Sequence, residues 1–216
     1  MFTQIIRLFC SIAILMGQQA MADTGTSHNL FVIERIDEDA FFVGRANLVT
    51  RDGTSDTFFG YIDGNYRVSL GAPWALEIGY RQALLELSSG TRREYRPMFA
   101  LYWRDTLFGG RFTNRNRIEL RYFEGSAEDR VRYRNESVWR GDEAIADTGV
   151  KPYVEEEFFY DLTDSELNIN WLGFGVSRKF APNWRWKLGY RLQSQKFGDW
   201  EHRHVLVTGI SYLGLD

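Results

Sequence analysis

Two histidines near the C-terminus and a nearby serine are the residues whose types could support catalysis. His202 and His204 are two positions apart, so they would share one face of a strand, and Ser194 lies eight residues before His202. A serine next to a histidine forms the nucleophile and base of an acyl hydrolase. No nucleophile elbow or other specific motif accompanies these residues. His202, His204 and Ser194 are therefore catalytic candidates on residue type alone, and we expect no catalytic site.

Metal and aspartic-protease chemistry have less support. A metal site needs a third or fourth ligand, and His28 is the only other histidine. The triplets Asp23-Thr24-Gly25 and Asp147-Thr148-Gly149 match the short signature of aspartic proteases, which need two carboxylates sharing a proton. The same residue types form turns. We interpret both triplets as turns and expect neither a metal nor a cofactor.

A third group of polar residues is defined by its spacing. In the run RNRIELRYFEGSAEDRVRYRNES, residues 115–137, Arg and Glu recur at every second position opposite apolar residues, and Arg outnumbers Lys by 22 to 4 over the chain. Guanidinium groups favour bidentate pairing with carboxylates. The pattern predicts a charge ladder on one sheet face, formed by Arg115, Arg117, Glu119, Arg121, Arg132, Arg134, Glu136, Glu155 and Glu157.

Two registers would pair most of this ladder. Between the fifth and sixth predicted strands, Glu119 would lie opposite Arg134 and Arg117 opposite Glu136. Between the sixth and seventh, Glu155 would lie opposite Arg134 and Glu157 opposite Arg132. Arg121 would then oppose Arg132, so that either Glu157 or an anion must bridge the two arginines. The ladder therefore requires strands that face one another across hairpins.

Alternation of apolar and polar residues predicts those strands. Period-two segments separated by Gly, Asp, Asn, Pro and Ser recur from residue 40 onward, and no segment has a helical stripe. The clearest runs from Trp184 to Gln193. The ten predicted strands cover roughly residues 40–50, 57–70, 74–87, 94–106, 111–124, 130–140, 150–162, 168–180, 184–196 and 201–215.

The two ends of these strands differ. Most connections after even-numbered predicted strands are short and most after odd-numbered ones are longer and polar, although residues 141–149 break the rule. Tryptophans gather at membrane interfaces because one edge of the ring is apolar and the N–H needs water. Five of the seven fall at the short-turn end, which predicts an aromatic girdle formed by Trp74, Trp103, Trp139, Trp184 and Trp186.

Alternation alone also fits a soluble barrel with its apolar face turned inward. The Arg excess, the aromatic strand ends and the two-sided connections favour a membrane barrel instead. We therefore predict an all-β fold, an antiparallel up-and-down transmembrane β-barrel of ten strands, with eight or twelve as alternatives. The charge ladder would fill a narrow lumen, because barrels near this size are close to filled by their own side chains.

The N-terminus has the features of an exported protein. Residues 1–22 combine a short segment ending at Arg7, an apolar run and small residues before Ala22, which predicts a cleaved signal peptide. Its removal leaves 25 Lys and Arg against 29 Asp and Glu, a formal charge of −4, and no basic patch for nucleic acid. Residues 29–36 could form a strand, but an eleventh spanning strand would put the two termini on opposite sides of the membrane. We therefore predict that residues 23–39 form an N-terminal arm or plug, and residues 40–216 the barrel.

Several motifs together resemble a known family. The runs RNRIELRY, RVRYRNES, KPYVEEEFFYDL, LGFGVSRKF and WRWKLGYRLQSQ, with a closing strand from His204, resemble the bacterial domain-of-unknown-function family 2490 over about residues 74–215. The resemblance implies an outer-membrane β-barrel without assigned activity. Outer-membrane chains commonly end on an aromatic residue, whereas this one ends at Asp216, with Tyr212 the nearest aromatic residue.

These features lead to three functional hypotheses for an outer-membrane protein of a Gram-negative bacterium. The first is a non-catalytic structural or surface-binding envelope protein, with loops 51–56, 88–93 and 163–167 as contact sites. The second is a lipid-modifying enzyme at the outer rim that uses the candidates named above, and the third is a small-solute channel. The expected partners are outer-membrane lipid, lipopolysaccharide and the outer-membrane insertion machinery, without nucleic acid.

Overall fold

A computed structural model describes residues 24–50, 57–87, 90–125 and 128–215 of the chain. The predicted signal peptide lies outside these ranges. The strands are β1 Thr24–Asp37, β2 Ala40–Thr50, β3 Thr57–Ser69, β4 Trp74–Leu87, β5 Gly90–Leu107, β6 Gly110–Phe123, β7 Arg130–Gly141, β8 Lys151–Asp161, β9 Glu166–Ala181, β10 Trp184–Phe197 and β11 Asp199–Gly214, with a 3₁₀ turn at Ala146–Thr148. No helix of the described chain is long and apolar enough to cross a membrane.

These strands form one closed barrel in chain order. Each strand from β2 to β11 pairs antiparallel with its neighbours in sequence, and β1 closes the barrel between β2 and β11. With an odd number of strands the closing pair has to be parallel. β1 accordingly pairs antiparallel with β2 and parallel with β11, from Thr24 opposite His204 to Glu34 opposite Gly214.

The prediction of an all-β barrel is confirmed, but the predicted count of ten strands is wrong. The eleventh strand is β1, which occupies most of residues 23–39, predicted from the sequence as an arm or plug. Its alternation is weak because apolar residues lie on both faces: Leu30 points outward and is exposed, whereas Ile33 points inward and is buried. Two partly apolar faces hide the period of two on which the other strands were recognised.

The barrel has two distinct ends. The C-terminal end contains Gly214 and the turns at residues 38–39, 70–73, 108–109, 142–150 and 182–183, and the N-terminal end contains Thr24 and the described turns at residues 162–165 and 198. Since β5 begins at Gly90, residues 90–93 of the loop predicted at residues 88–93 belong to a strand, and residues 88–89 and the loop predicted at residues 51–56 lie outside the described residues. The nine-residue connection at 142–150 remains the long one at the C-terminal end.

Apolar and charged side chains occupy opposite faces of the barrel wall. Outward residues include Ile62 and Ile78, which are 65% and 55% exposed, whereas Arg117 and Glu119 point inward and are 1% and 0% exposed. This is the reverse of the usual distribution in a water-soluble protein, where large apolar side chains are inside and charges outside.

Outward aromatic residues concentrate at the C-terminal end. Trp74 pairs across the sheet with Trp103, and Trp103 packs edge-to-face on Phe112 with ring centroids 5.7 Å apart. Trp139 donates a hydrogen bond from Nε1 to the carbonyl oxygen of Leu107 at 2.9 Å. With Trp184 and Trp186 of β10, these are the five tryptophans predicted as a girdle.

Inward-facing glycines on β9 and β10 make room for the side chain of Tyr153 of β8. A Cβ atom added at Gly189 would lie 2.1 Å from Tyr153 Oη and 2.6 Å from the carbonyl oxygen of Phe174, and one at Gly175 would lie 2.9 Å from the Tyr153 ring. Only hydrogen fits at these positions. The Tyr153 ring therefore lies over the inner surface of the neighbouring strands β9 and β10.

Candidate functional site

The charge ladder occupies the middle of the lumen, in a register that differs from the predicted one. Arg115 lies opposite Glu136, Arg117 opposite Arg134 and Glu119 opposite Arg132, two residues away from the predicted pairing. Between β7 and β8 the difference is four residues, so that Glu136 lies opposite Glu157. An even shift keeps each side chain on its face and changes only its partners. All nine predicted ladder residues lie on the inner face.

Glu119 is the centre of the largest ion-pair group. Its carboxylate accepts hydrogen bonds from Arg132, with Arg132 Nε at 2.9 Å, and lies 2.7 Å from Arg117 Nη2. Arg134 Nη1 and Arg96 Nη1 approach it at 3.6 and 3.8 Å. Four arginines thus surround one carboxylate that has no contact with solvent.

Diagonal contacts satisfy charges that the cross-strand register leaves unpaired. Arg134 bonds to Glu157, although the residue directly opposite it on β8 is Phe159. Arg121, predicted to oppose Arg132, lies opposite Arg130 instead and bonds to Glu94 of β5. The predicted bridge between Arg121 and Arg132 by Glu157 or an anion is therefore wrong, because Arg132 has Glu119 as its own partner.

A second ion-pair group on β2 to β4 was not predicted. Glu77 accepts hydrogen bonds from Arg45 Nη2 at 3.0 Å and from Arg67 Nη2 at 2.6 Å. Asp63 accepts from Arg81 Nη2 at 2.5 Å and from Arg45 Nη1 at 3.2 Å. The alternating run Asp63-x-Asn65-x-Arg67 and the pair Glu77 and Arg81 carry the same period-two signal as the ladder, which could have identified them.

These ion pairs bury several charged side chains inside the barrel. Arg81, Arg117, Glu94 and Glu119 are among the largest fully buried side chains of the described residues. The Arg117 guanidinium has no hydrogen bond with acceptable geometry within the described chain, in spite of its short contact with Glu119. These charged groups are therefore shielded from solvent by neighbouring side chains.

The catalytic candidates lie on the outer wall, near the N-terminal end. Ser194 and His202 are direct cross-strand partners on β10 and β11, and Ser194 Oγ lies 2.9 Å from His202 Nδ1 within hydrogen-bond geometry. His204 bonds to Tyr190 instead, on the same outward face. The structure therefore brings together Ser194 and His202 and separates both from His204.

Other outward polar residues extend this region around the wall. Asn170 lies opposite Ser194 on β9 and donates a hydrogen bond to Glu156 of β8 at 2.7 Å. On β6 and β7, Asn114 donates to Ser137 at 2.9 Å and Asn135 donates to Asn116 at 2.9 Å. In the sequence these polar residues alternate with the Arg ladder, so the period of two could have identified them as a group on the outer face.

The remaining sequence motifs form no site among the described residues. The interpretation of the first Asp-Thr-Gly triplet as a turn is wrong, because Thr24 and Gly25 belong to β1, and Asp23 lies outside the described residues. Asp147, Thr148 and Gly149 belong to the turn between β7 and β8, where Thr148 Oγ1 donates to the Ile145 carbonyl oxygen at 2.6 Å and Gly149 has φ of 70°. His28 lies on the outer wall of β1, with Nδ1 2.8 Å from Thr208 Oγ1. It is separate from the Ser194 and His202 pair.

Comparisons with known proteins give one family and one fold. The model of the family described as "Protein of unknown function (DUF2490)" matches residues 24–202, which confirms the resemblance predicted from the motifs. A solved structure of the NanC porin in a rhombohedral crystal form is similar with a TM-score of 0.52 and 14% identity, covering 88% of this chain and 98% of the porin. At that identity the likeness shows the barrel fold alone. No curated protein matches the chain.

Proposed function

We propose that this chain, which belongs to the DUF2490 family of unknown function, is a non-catalytic outer-membrane protein with an occluded lumen. The proposal starts from the barrel wall, where exposed Ile62 and Ile78 need an apolar environment and the tryptophans at the C-terminal end match an interfacial girdle. The predicted signal peptide of residues 1–22 supports an envelope location in a Gram-negative bacterium. The C-terminal end would then face the periplasm.

The single observation that supports an occluded, non-conducting lumen is the buried charge in the midsection. Arg117 and Glu119 have at most 1% of their surface exposed, which supports a midsection without a continuous water path. Ions need such a path, since a desolvated ion would have to displace pairs that are costly to break. The protein would act as a structural barrel or through the surface at its N-terminal end, where the predicted contact loop at residues 163–167 overlaps the described turn at residues 162–165.

Planar-bilayer recording of the purified, folded barrel tests this proposal. We expect no steady conductance above background, with a general porin reconstituted in the same way as the positive control. A double variant, Arg96→Ala with Arg117→Ala, removes bulk from the midsection and should introduce conductance steps if side chains occlude the lumen. Large, steady openings of the unmodified protein would contradict the proposal and favour a small-solute channel.

A lipid-modifying enzyme is the second candidate, because Ser194 Oγ lies 2.9 Å from His202 Nδ1 on the lipid-facing wall. The serine oxygen would attack an ester carbonyl while His202 takes its proton, and the histidine would return that proton to the departing alcohol. Water would then release the acyl group from the serine oxygen. The remaining ring nitrogen of His202 has no partner within the described chain, so a third member of a triad is missing there.

Lipid analysis by mass spectrometry separates the two candidates. An enzyme predicts changed phospholipid or lipid A acylation on expression, lost in Ser194→Ala and His202→Ala but kept in the matched outward variant Thr208→Ala. Labelling of Ser194 by a fluorophosphonate probe would give an independent readout. Unchanged lipids and no labelling in a folded barrel would support the non-catalytic proposal.

A further inference from the structure

A separate group of positive charges lies inside the barrel at its C-terminal end. We call it the basic vestibule, and it consists of Arg104, Arg111, Arg140, Lys179 and Arg185. All five lie on the inward-facing positions of β5, β6, β7, β9 and β10, below the ion-paired midsection. Arg104, Arg111 and Lys179 are exposed, and Arg140 and Arg185 are half-buried. The group therefore opens toward solvent.

The strand register places like charges directly opposite one another here. Arg111 faces Arg140 across β6 and β7, and Arg185 faces Lys179 across β9 and β10. Arg185 is also within electrostatic range of both Arg140 and Arg111. Like charges in direct cross-strand pairs destabilise a sheet. The midsection also contains like charges in direct pairs, such as Arg117 opposite Arg134, but there a carboxylate lies beside nearly every arginine, whereas in the vestibule it does not.

Counterions within the protein do not balance the vestibule. Asp142 contacts Arg111 at 3.5 Å, with the two side chains 46% and 65% exposed, so the pair is weak. The acids nearest Arg140 are occupied: Glu136 pairs with Arg115, and Glu155 pairs with Lys187. For the other four vestibule residues, the described part of the chain provides no ion pair. The positive charge is left for a ligand.

We propose that the basic vestibule is a binding site for a small oxyanion with at least two negative charges, of phosphate chemistry. Two or more arginines that converge on one space match phosphate oxygens through bidentate hydrogen bonds. The filled midsection blocks entry from the N-terminal end, so the ligand reaches the site only from the C-terminal end. Under the proposed function this is the periplasmic side, but the binding chemistry does not depend on that orientation.

Isothermal titration of the folded barrel with inorganic pyrophosphate, in a non-ionic detergent, tests the site. We expect saturable binding at one site per chain that weakens as salt rises. Arg140→Gln together with Arg185→Gln should weaken it at least about tenfold, since each removes a charge-assisted contact. Arg93→Gln is the matched control, because Arg93 is an exposed arginine at the opposite end, paired weakly with Glu124 at 3.9 Å.

A thermal-unfolding measurement provides a second readout that does not require the variants to bind anything. Pyrophosphate should raise the unfolding temperature of the unmodified barrel and of Arg93→Gln, and the double variant should lose this response while retaining the barrel's heat-modifiable band. Non-saturable binding, or equal loss in Arg93→Gln, would identify an adventitious ion and overturn the proposal.

The source of the phosphate is distinguished by competition. If micelles doped with an anionic phospholipid displace pyrophosphate and micelles with a zwitterionic lipid do not, the natural ligand is a lipid headgroup. If neither lipid competes, the ligand is a soluble phosphate compound. Absence of pyrophosphate binding together with absence of binding to doped micelles would refute both forms of the site.

Discussion

Replacing Glu119 by Gln should destabilise the barrel more than replacement of any exposed acid. Glu119 is fully buried, accepts from Arg132 and lies 2.7 Å from Arg117, so the amide keeps the shape but leaves two buried guanidinium groups without a counterion. Removing one partner of a buried pair costs about 3–5 kcal/mol. That corresponds to a fall in the folding equilibrium constant of between roughly a hundredfold and several thousandfold.

The measurement is reversible urea unfolding of the barrel in lipid vesicles, followed by tryptophan fluorescence. The control is Glu124→Gln, because Glu124 is 54% exposed and lies 3.9 Å from Arg93. Exposed pairs contribute about 0–1 kcal/mol, so this variant should unfold close to the unmodified protein. If Glu119→Gln and Glu124→Gln shift the unfolding midpoint by the same small amount, the midsection is solvated and the reasoning is refuted.

Three further predictions concern other parts of the wall and lumen. Arg117→Met should lower the unfolding free energy by less than Glu119→Gln does, because Arg117 lacks a hydrogen bond and Glu119 keeps three other arginines; an equal or larger loss in urea unfolding would contradict this. Gly189→Val should lower the yield of the heat-modifiable band, since a Cβ would lie 2.1 Å from Tyr153 Oη, whereas a normal yield would show that Tyr153 moves aside. Ile78→Arg should destabilise the barrel by about 2–4 kcal/mol in vesicles if Ile78 contacts lipid, and a neutral result would place it in water.

The faces of most strands could be predicted from the sequence because alternation has a period of exactly two. Once Arg115 and Arg117 are placed on one face, every second residue of β6 follows, and the same holds for Trp184 and Trp186 on β10. The membership of the ladder depends only on whether a residue occupies an odd or even position along its strand. The girdle depends on this and on the strand end at which each tryptophan lies. They do not depend on which residue lies opposite which.

Register and strand number could not be predicted from the same signal. A shift of two or four residues between β6, β7 and β8 preserves parity, so the sequence could not decide between Arg134 and Arg132 as the residue opposite Glu119. The Ser194 and His202 contact depends on register for the same reason. β1 was missed because its partner in the closing pair, β11, is at the other end of the sequence and its own two faces are both partly apolar.

The most direct test of the central claim is cell fractionation followed by gel electrophoresis with and without boiling. The account predicts recovery in the outer-membrane fraction and a faster-migrating band in the unboiled sample, as a closed barrel with its charges inside and its apolar face in lipid should give. Recovery as a soluble periplasmic protein without a mobility shift would contradict it, because exposed Ile62 and Ile78 would then have to be buried and the buried charges solvated.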